Sequence, residues 1–162
     1  MGEPIGKGGE PQVFERVDGT LCANLRSARG GFRIQACSSD GGETWDPWRY
    51  NEDLPAAGTQ ASILRFTTEA DGDRNRVLFS NPGAPYRGEF TIRMSYDEGV
   101  TWPISKRVYQ GAAGYSSLAV LSDHSILALF ETGKYDLRES ITLIKTNLDW
   151  LTDGNDKLGS NQ

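Results

Sequence analysis

Few side chains in this 162-residue chain stand where chemistry would be expected, and the most conspicuous are two aspartates. Each sits in a copy of one pattern, Ser-x-Asp-x-Gly-x-Thr-Trp, running from Ser38 to Trp45 and again, 57 residues further on, from Ser95 to Trp102. A carboxylate there could act as acid, base or cation ligand, but its neighbours point elsewhere. Asp accepts hydrogen bonds from backbone N–H groups just ahead of it in a turn. Gly42 and Gly99 permit positive φ without a Cβ penalty. Thr44 and Thr101 suit the start of a strand, and Trp45 and Trp102 offer a broad apolar plate. Asp40 and Asp97 are therefore read as self-bonded turn residues. His124, the single histidine, lies in an Asp-His-Ser turn and reads as a solvated loop residue. Cys22 and Cys37 fall on consecutive expected strands, where a bridge is conceivable but two small buried thiols are the favoured reading. No cluster has zinc-site spacing, so neither metal nor cofactor is expected. Tyr115 beside two serines, taken singly, reads as a half-buried strand residue. Arg26 and Arg87 read singly as solvated strand ends.

The elements that position these residues are short and β-rich. From Pro11 onward, apolar runs alternate with turn clusters such as Asp18-Gly19 and Gly30-Gly31, which are hairpin signals. The expected strands are 12–17, 20–26 and 32–38, then 61–67, 76–81, 90–95 and 106–110, then 117–121, 125–131 and 140–146. No useful segment carries the 3.6-residue apolar period, so helix content should be very low. Nineteen glycines fit a turn-rich all-β chain. Meanders of three or four strands at this spacing are the sequence form of propeller blades. The expectation is about three blades over residues 1–152 and a polar tail, 153–162, that frays. A net charge of −5 argues against a general nucleic-acid binder or an anionic-membrane binder. No run approaches the roughly 18 apolar residues of a membrane helix, and the N-terminus lacks the apolar core of a signal peptide.

With these stretches in view, the chain resembles the sialidases (neuraminidases), whose repeated turns are Asp boxes and whose fold is a six-bladed β-propeller. The resemblance is carried by Glu10-Pro11-Gln12-Val13-Phe14-Glu15 with Asn24-Leu25-Arg26-Ser27, and by Thr59-Gln60-Ala61-Ser62-Ile63-Leu64-Arg65. It continues in Leu78-Phe79-Ser80-Asn81-Pro82 ahead of Arg87, and in Gly114-Tyr115-Ser116-Ser117-Leu118 followed by Leu129-Phe130-Glu131. Their order resembles the C-terminal half of an exo-α-sialidase. By resemblance Tyr115 is the nucleophile and Glu10 its base, with Glu15 a competing candidate. Arg26 and Arg87 are by resemblance two of three arginines that clamp the substrate carboxylate. Glu131 either supports an arginine or ends a strand in solvent, and Ser80, Asn81 and Gln60 are candidate pocket residues. Arg33, on the strand before the first Asp box, reads as structural.

The chemistry fits these types. A sialic acid carries a carboxylate on its anomeric carbon, which would repel a carboxylate nucleophile, and sialidases use tyrosine instead. A phenol with an ordinary pKa of about 10 needs a base to take its proton. Arginine's planar fork meets a carboxylate bidentately. The implied partners are sialylated glycans. The family's remaining arginine and its aspartate acid/base belong to an N-terminal half that is not seen here. The isolated chain is therefore expected to hydrolyse little, and is either a piece of a longer propeller or a unit that associates into a ring. The alternative is a non-catalytic sialic-acid or glycan-binding module.

Overall fold

Period-2 alternation between turn clusters does yield strands. The computed structural model describes residues 1–6 and 8–159, which form ten strands, one short α-helix and a single 3-10 turn at Glu69–Asp71. The first sheet is an antiparallel meander of β1 (Gly9–Glu15), β2 (Leu21–Arg26), β3 (Gly31–Ser38) and β4 (Arg49–Ala56). A second sheet runs through β5 (Ser62–Thr67), β6 (Arg76–Pro82), β7 (Gly88–Ser95), β8 (Ile104–Val120), β9 (Ile126–Gly133) and β10 (Ser140–Thr146). The chain closes with α1 (Leu148–Leu151), capped by the Asn147 side chain, which accepts the Trp150 N–H.

β8 belongs to two blades. Its first half pairs with β7 and its second half with β9, so residues 106–110 and 117–121, expected as separate strands, are one 17-residue strand. Its middle, Gly111-Ala112-Ala113-Gly114, is small enough to let the strand turn from one blade into the next. The result is a partial β-propeller of three blades, the third having only three strands.

Blades pack face to face. β6 shows why its sequence alternates little: Val77 and Phe79 face the first blade, meeting Phe14, Cys22, Cys37, Leu54 and Trp102. Leu78 faces the third, in a core with Phe90, Ile92, Met94, Leu118, Ile126 and Phe130 that Leu148 and Leu151 close. Phe90 and Phe130 stack with ring centroids 3.9 Å apart. Each such side chain, fully buried, contributes about 1.5–3 kcal/mol. The outward face of the first blade is partly covered, since Ile5 and Trp45 pack on Ala23, Leu25 and Ile34. The outward face of the third blade leaves Leu129, Ile141 and Leu143 exposed.

Both Asp boxes have the same wiring. Ser38 Oγ donates to Asp40 and accepts from Gly42 N–H, while Thr44 donates to Asp40 through both its N–H and its hydroxyl. Ser95, Asp97, Gly99 and Thr101 repeat each contact. Gly42 and Gly99 take φ of 94° and 80°.

Two expectations fail. Cys22 and Cys37 form a disulfide, not two thiols. The β2–β3 register sets them directly opposite with Cα atoms 4.2 Å apart, the close spacing of a non-hydrogen-bonded antiparallel pair. Replacing both by serine should lower unfolding free energy by about 2–3 kcal/mol, read from urea denaturation. An unchanged midpoint would mean that the bridge constrains nothing the fold does not already fix.

The tail is not loose over its described residues. Arg76, wholly buried on β6, donates from Nε and Nη2 to Asp156 (2.8 and 2.6 Å) and from Nη1 to Asp73 (2.6 Å). Tyr96 donates to Asp156 at 2.8 Å, and Gly159 N–H donates to Asp73 at 3.0 Å. Residues 160–162 lie outside the described residues.

Candidate active site

Tyr115 and Glu10 are 105 residues apart in the chain, and each stands at an irregularity in its strand. The β1–β2 register shifts between Gly9 and Gln12, and Glu10 adopts φ of 46°, a left-handed conformation unusual for a side-chain-bearing residue. The β8–β9 register shifts between Ala113 and Ser116. Bulges re-aim side chains that a regular ladder would stack against neighbours. Here they turn both residues towards one point, and the Tyr115 hydroxyl donates a hydrogen bond to Glu10 Oε1.

The bulge at Tyr115 is held by Glu131, whose Oε2 accepts the Tyr115 N–H at 2.9 Å. A Cβ on Gly114 would fall on that carboxylate and on Leu137, so a larger residue there would displace the Glu131 side chain from the Tyr115 N–H. Glu131 thus supports the tyrosine backbone, and among the described residues it makes no ion pair with an arginine.

Around this pair the arginines gather. Arg26, the last residue of β2, pairs with Glu10 Oε2 at 3.2 Å. The Arg87 guanidinium lies 5.9 Å from the Tyr115 ring centroid, and its backbone carbonyl accepts the Ala113 N–H at the start of the β8 bulge. Arg26 Nη1 and Arg87 Nη2 both donate to the Gly58 carbonyl, at 3.1 and 2.9 Å. Gly58 was not legible as part of a site, because a backbone oxygen leaves no side-chain signature.

The four residues named from the resemblance therefore meet. Glu15 does not join them: its carbonyl accepts from Arg65, away from the tyrosine. Ser80 lies beneath the site, its hydroxyl 2.9 Å from that of Ser116. Gln60 reaches over to accept the Ser116 N–H at 3.1 Å. Asn81 is buried, donating to the Pro55 carbonyl and accepting from Arg93, and so supports the scaffold instead of lining a pocket. A groove of about 430 Å³ between β1 and β5 is lined by Val13, Glu15, Val17 and Arg65, and includes none of the four. Tyr115 is 38% exposed, so the pair opens to solvent.

Its electrostatics favour an anion. Arg26 pairs with Glu10, and Arg26 and Arg87 bring two guanidiniums to one carbonyl, in a chain whose overall charge is −5. The hydrogen bond to Glu10 raises the Tyr115 pKa above its ordinary value, helped by burial and by the Glu10 charge, while Arg26 and Arg87 pull it down. The phenol is accordingly neutral at neutral pH, with its proton already directed at an acceptor.

Comparison with known proteins fits this geometry. Residues 3–129 match the BNR repeat-like domain. The chain belongs to that family. This BNR repeat-like chain is 39% identical over 156 residues to a sialidase of Micromonospora viridifaciens, covering 93% of this chain and 23% of that one. Among solved structures it is similar to the Hadza microbial sialidase Hz136, with a TM-score of 0.77 and 32% identity over 88% of this chain and 28% of that one. It is also similar to the intramolecular trans-sialidase from Ruminococcus gnavus, with a TM-score of 0.75 and 28% identity over 88% of this chain and 33% of that one. The BNR repeat-like chain thus spans between 23% and 33% of the length of these relatives.

Proposed function

We propose that this chain carries the nucleophile and carboxylate-binding side of an exo-α-sialidase site, acting on terminal sialic acids of glycoconjugates. The observation that carries the reading is the run of contacts Tyr115–Glu10–Arg26, with Arg87 on the same carbonyl as Arg26. Arg26 and Arg87 would exchange the Gly58 carbonyl for the substrate carboxylate, a charge-assisted and bidentate gain. The Tyr115 oxygen then bonds to the anomeric carbon while its proton passes to Glu10 and the glycosidic C–O bond breaks. Water later releases the sugar from the tyrosine, with net retention. The departing oxygen needs a proton donor that these four residues do not include. The isolated chain is therefore expected to bind sialic acid with little turnover.

Titration of N-acetylneuraminic acid against its methyl ester tests the clamp. The acid should bind, the ester should not, and Arg26→Met or Arg87→Met should each weaken binding tenfold or more, as loss of a charged hydrogen bond of about 1.5–3 kcal/mol implies. Equal binding of acid and ester would sink the clamp. A fluorogenic sialoside separates the enzyme from a binding module that holds the sugar without cleaving it.

A further inference from the structure

Three arginines of this chain are almost wholly buried, and they are not alike. Arg76 is matched by two carboxylates. Arg93 donates to Asn81 and lies in the field of Asp53. Arg33, 1% exposed, has no carboxylate at hydrogen-bond distance among the described residues. Its Nε donates to Asn24 Oδ1 at 2.7 Å and its Nη1 to the Thr59 carbonyl at 2.9 Å. Arg33 Nη2 and Thr59 Oγ1 are buried without a hydrogen-bond partner among the described residues. A buried charge bonded only to neutral acceptors is costly, and a packed apolar residue would serve the strand better. Burial lowers its pKa to about 10, so it remains charged at neutral pH, with Glu10 favouring that charge and Arg26 opposing it.

What Arg33 holds is the backbone next to the site. Thr59 follows Gly58, and the Gly58 carbonyl is where Arg26 and Arg87 converge. Gly58 itself has φ of 69° and nothing within 4 Å of its Cβ position, so no side-chain packing of its own adds to the two arginine hydrogen bonds there. We propose that Arg33 is a positioning residue: by fixing the Gly58–Thr59 backbone through the Thr59 carbonyl, it sets the common point at which Arg26 and Arg87 are held to receive a carboxylate. The assignment rests on the sialic-acid reading for its ligand but not for its geometry.

The test compares Arg33→Met, Arg33→Gln and Arg93→Met with the parent chain. Two readouts are used, the Kd for N-acetylneuraminic acid and the ¹⁵N NMR signals of the Arg26 and Arg87 Nε–H groups without ligand. Arg33→Met should weaken binding at least tenfold and shift or broaden both arginine signals. Arg33→Gln, which keeps a donor for the Thr59 carbonyl, should fall between, and it serves if Arg33→Met does not fold. Arg93→Met, an equally buried change whose contacts lead to Pro55, should leave Kd within about twofold and both signals in place. Parent-like arginine signals in the Arg33 variants would overturn the proposal, as would equal disturbance by Arg93→Met. If Arg33→Met moves the arginine signals while Arg26→Met leaves the parent's affinity unaltered, the positioning role stands and the sialic-acid reading fails.

Discussion

Tyr115→Phe is expected to abolish sialoside turnover while leaving the fold and the affinity for free sialic acid nearly intact. The substitution removes one oxygen from a side chain that is 38% exposed, so packing changes little. That oxygen is the proposed attacking atom and the donor to Glu10. Loss of a nucleophile in a covalent mechanism costs a factor on the order of 10⁴ or more in kcat. The carboxylate clamp, built from Arg26 and Arg87, is untouched, so Kd for N-acetylneuraminic acid should change only a few-fold. The raised Tyr115 pKa gives the pH expectation: the phenol stays neutral up to its ordinary value and beyond, so attack must be coupled to proton transfer to Glu10 and not await ionisation. The measurement is release of a fluorogenic aglycone by whichever preparation of the chain turns over, parent against variant. Turnover unchanged by the loss of the hydroxyl would remove Tyr115 from the nucleophile's role.

The second large effect is on stability. Arg76→Met should destabilise the fold by about 3–5 kcal/mol at neutral pH, because it leaves the carboxylates of Asp73 and Asp156 buried without their cation. In the parent, burial is the largest influence and pushes both carboxyls up, but hydrogen bonds from Arg76, joined by the Gly159 and Arg74 N–H groups at Asp73 and by Tyr96 at Asp156, together with the Arg76 charge, outweigh it and hold them below the ordinary aspartate value. Their contribution to stability is thus fully present above the unfolded pKa of about 3.9 and is lost as pH falls through the lower folded values. In the variant the remaining donors, Gly159 N–H to Asp73 and Tyr96 to Asp156, oppose burial without the Arg76 charge, so both carboxyls take up protons at a higher pH than in the parent. The gap between parent and variant should therefore narrow on acidification from pH 7 to pH 3 in urea denaturation. Amide exchange at 153–159 should speed up in the variant, because that segment is tied down through Asp156 and Gly159. A variant as stable as the parent, with the segment still protected, would show that apolar packing of α1 alone secures the tail.

The same contrast explains what could be read in advance. Each Asp box is wired within eight residues, so residue types alone determined its turn, its positive-φ glycines and its self-bonded aspartate. The blades followed from alternation and turn chemistry, which are equally local. The joining of 106–110 to 117–121 was not legible, because a strand that changes partners midway breaks no local rule and small residues such as Gly111 and Gly114 suggest a turn as readily as a bulge. The disulfide depended on register, which puts Cys22 opposite Cys37 and not one residue aside, where the two would face opposite layers.

The site shows the division most sharply. Sequence supplied the residues, through stretches whose order resembles a sialidase, and the spacing to the following arginine favoured Glu10 over Glu15 by resemblance. The fold adds a physical reason: a bulge at Glu10 aims its carboxylate at Tyr115, while Glu15 stays on a regular stretch whose carbonyl serves Arg65. Gly58 and the contact that Arg33 makes were not legible for a related reason. One acts through a backbone oxygen and the other through backbone it touches 26 residues away. Sequence by itself determined which groups the chain owns and which turns close on themselves. Tertiary structure decided which of them meet, because contacts between distant residues depend on register, bulges and burial that no local pattern encodes.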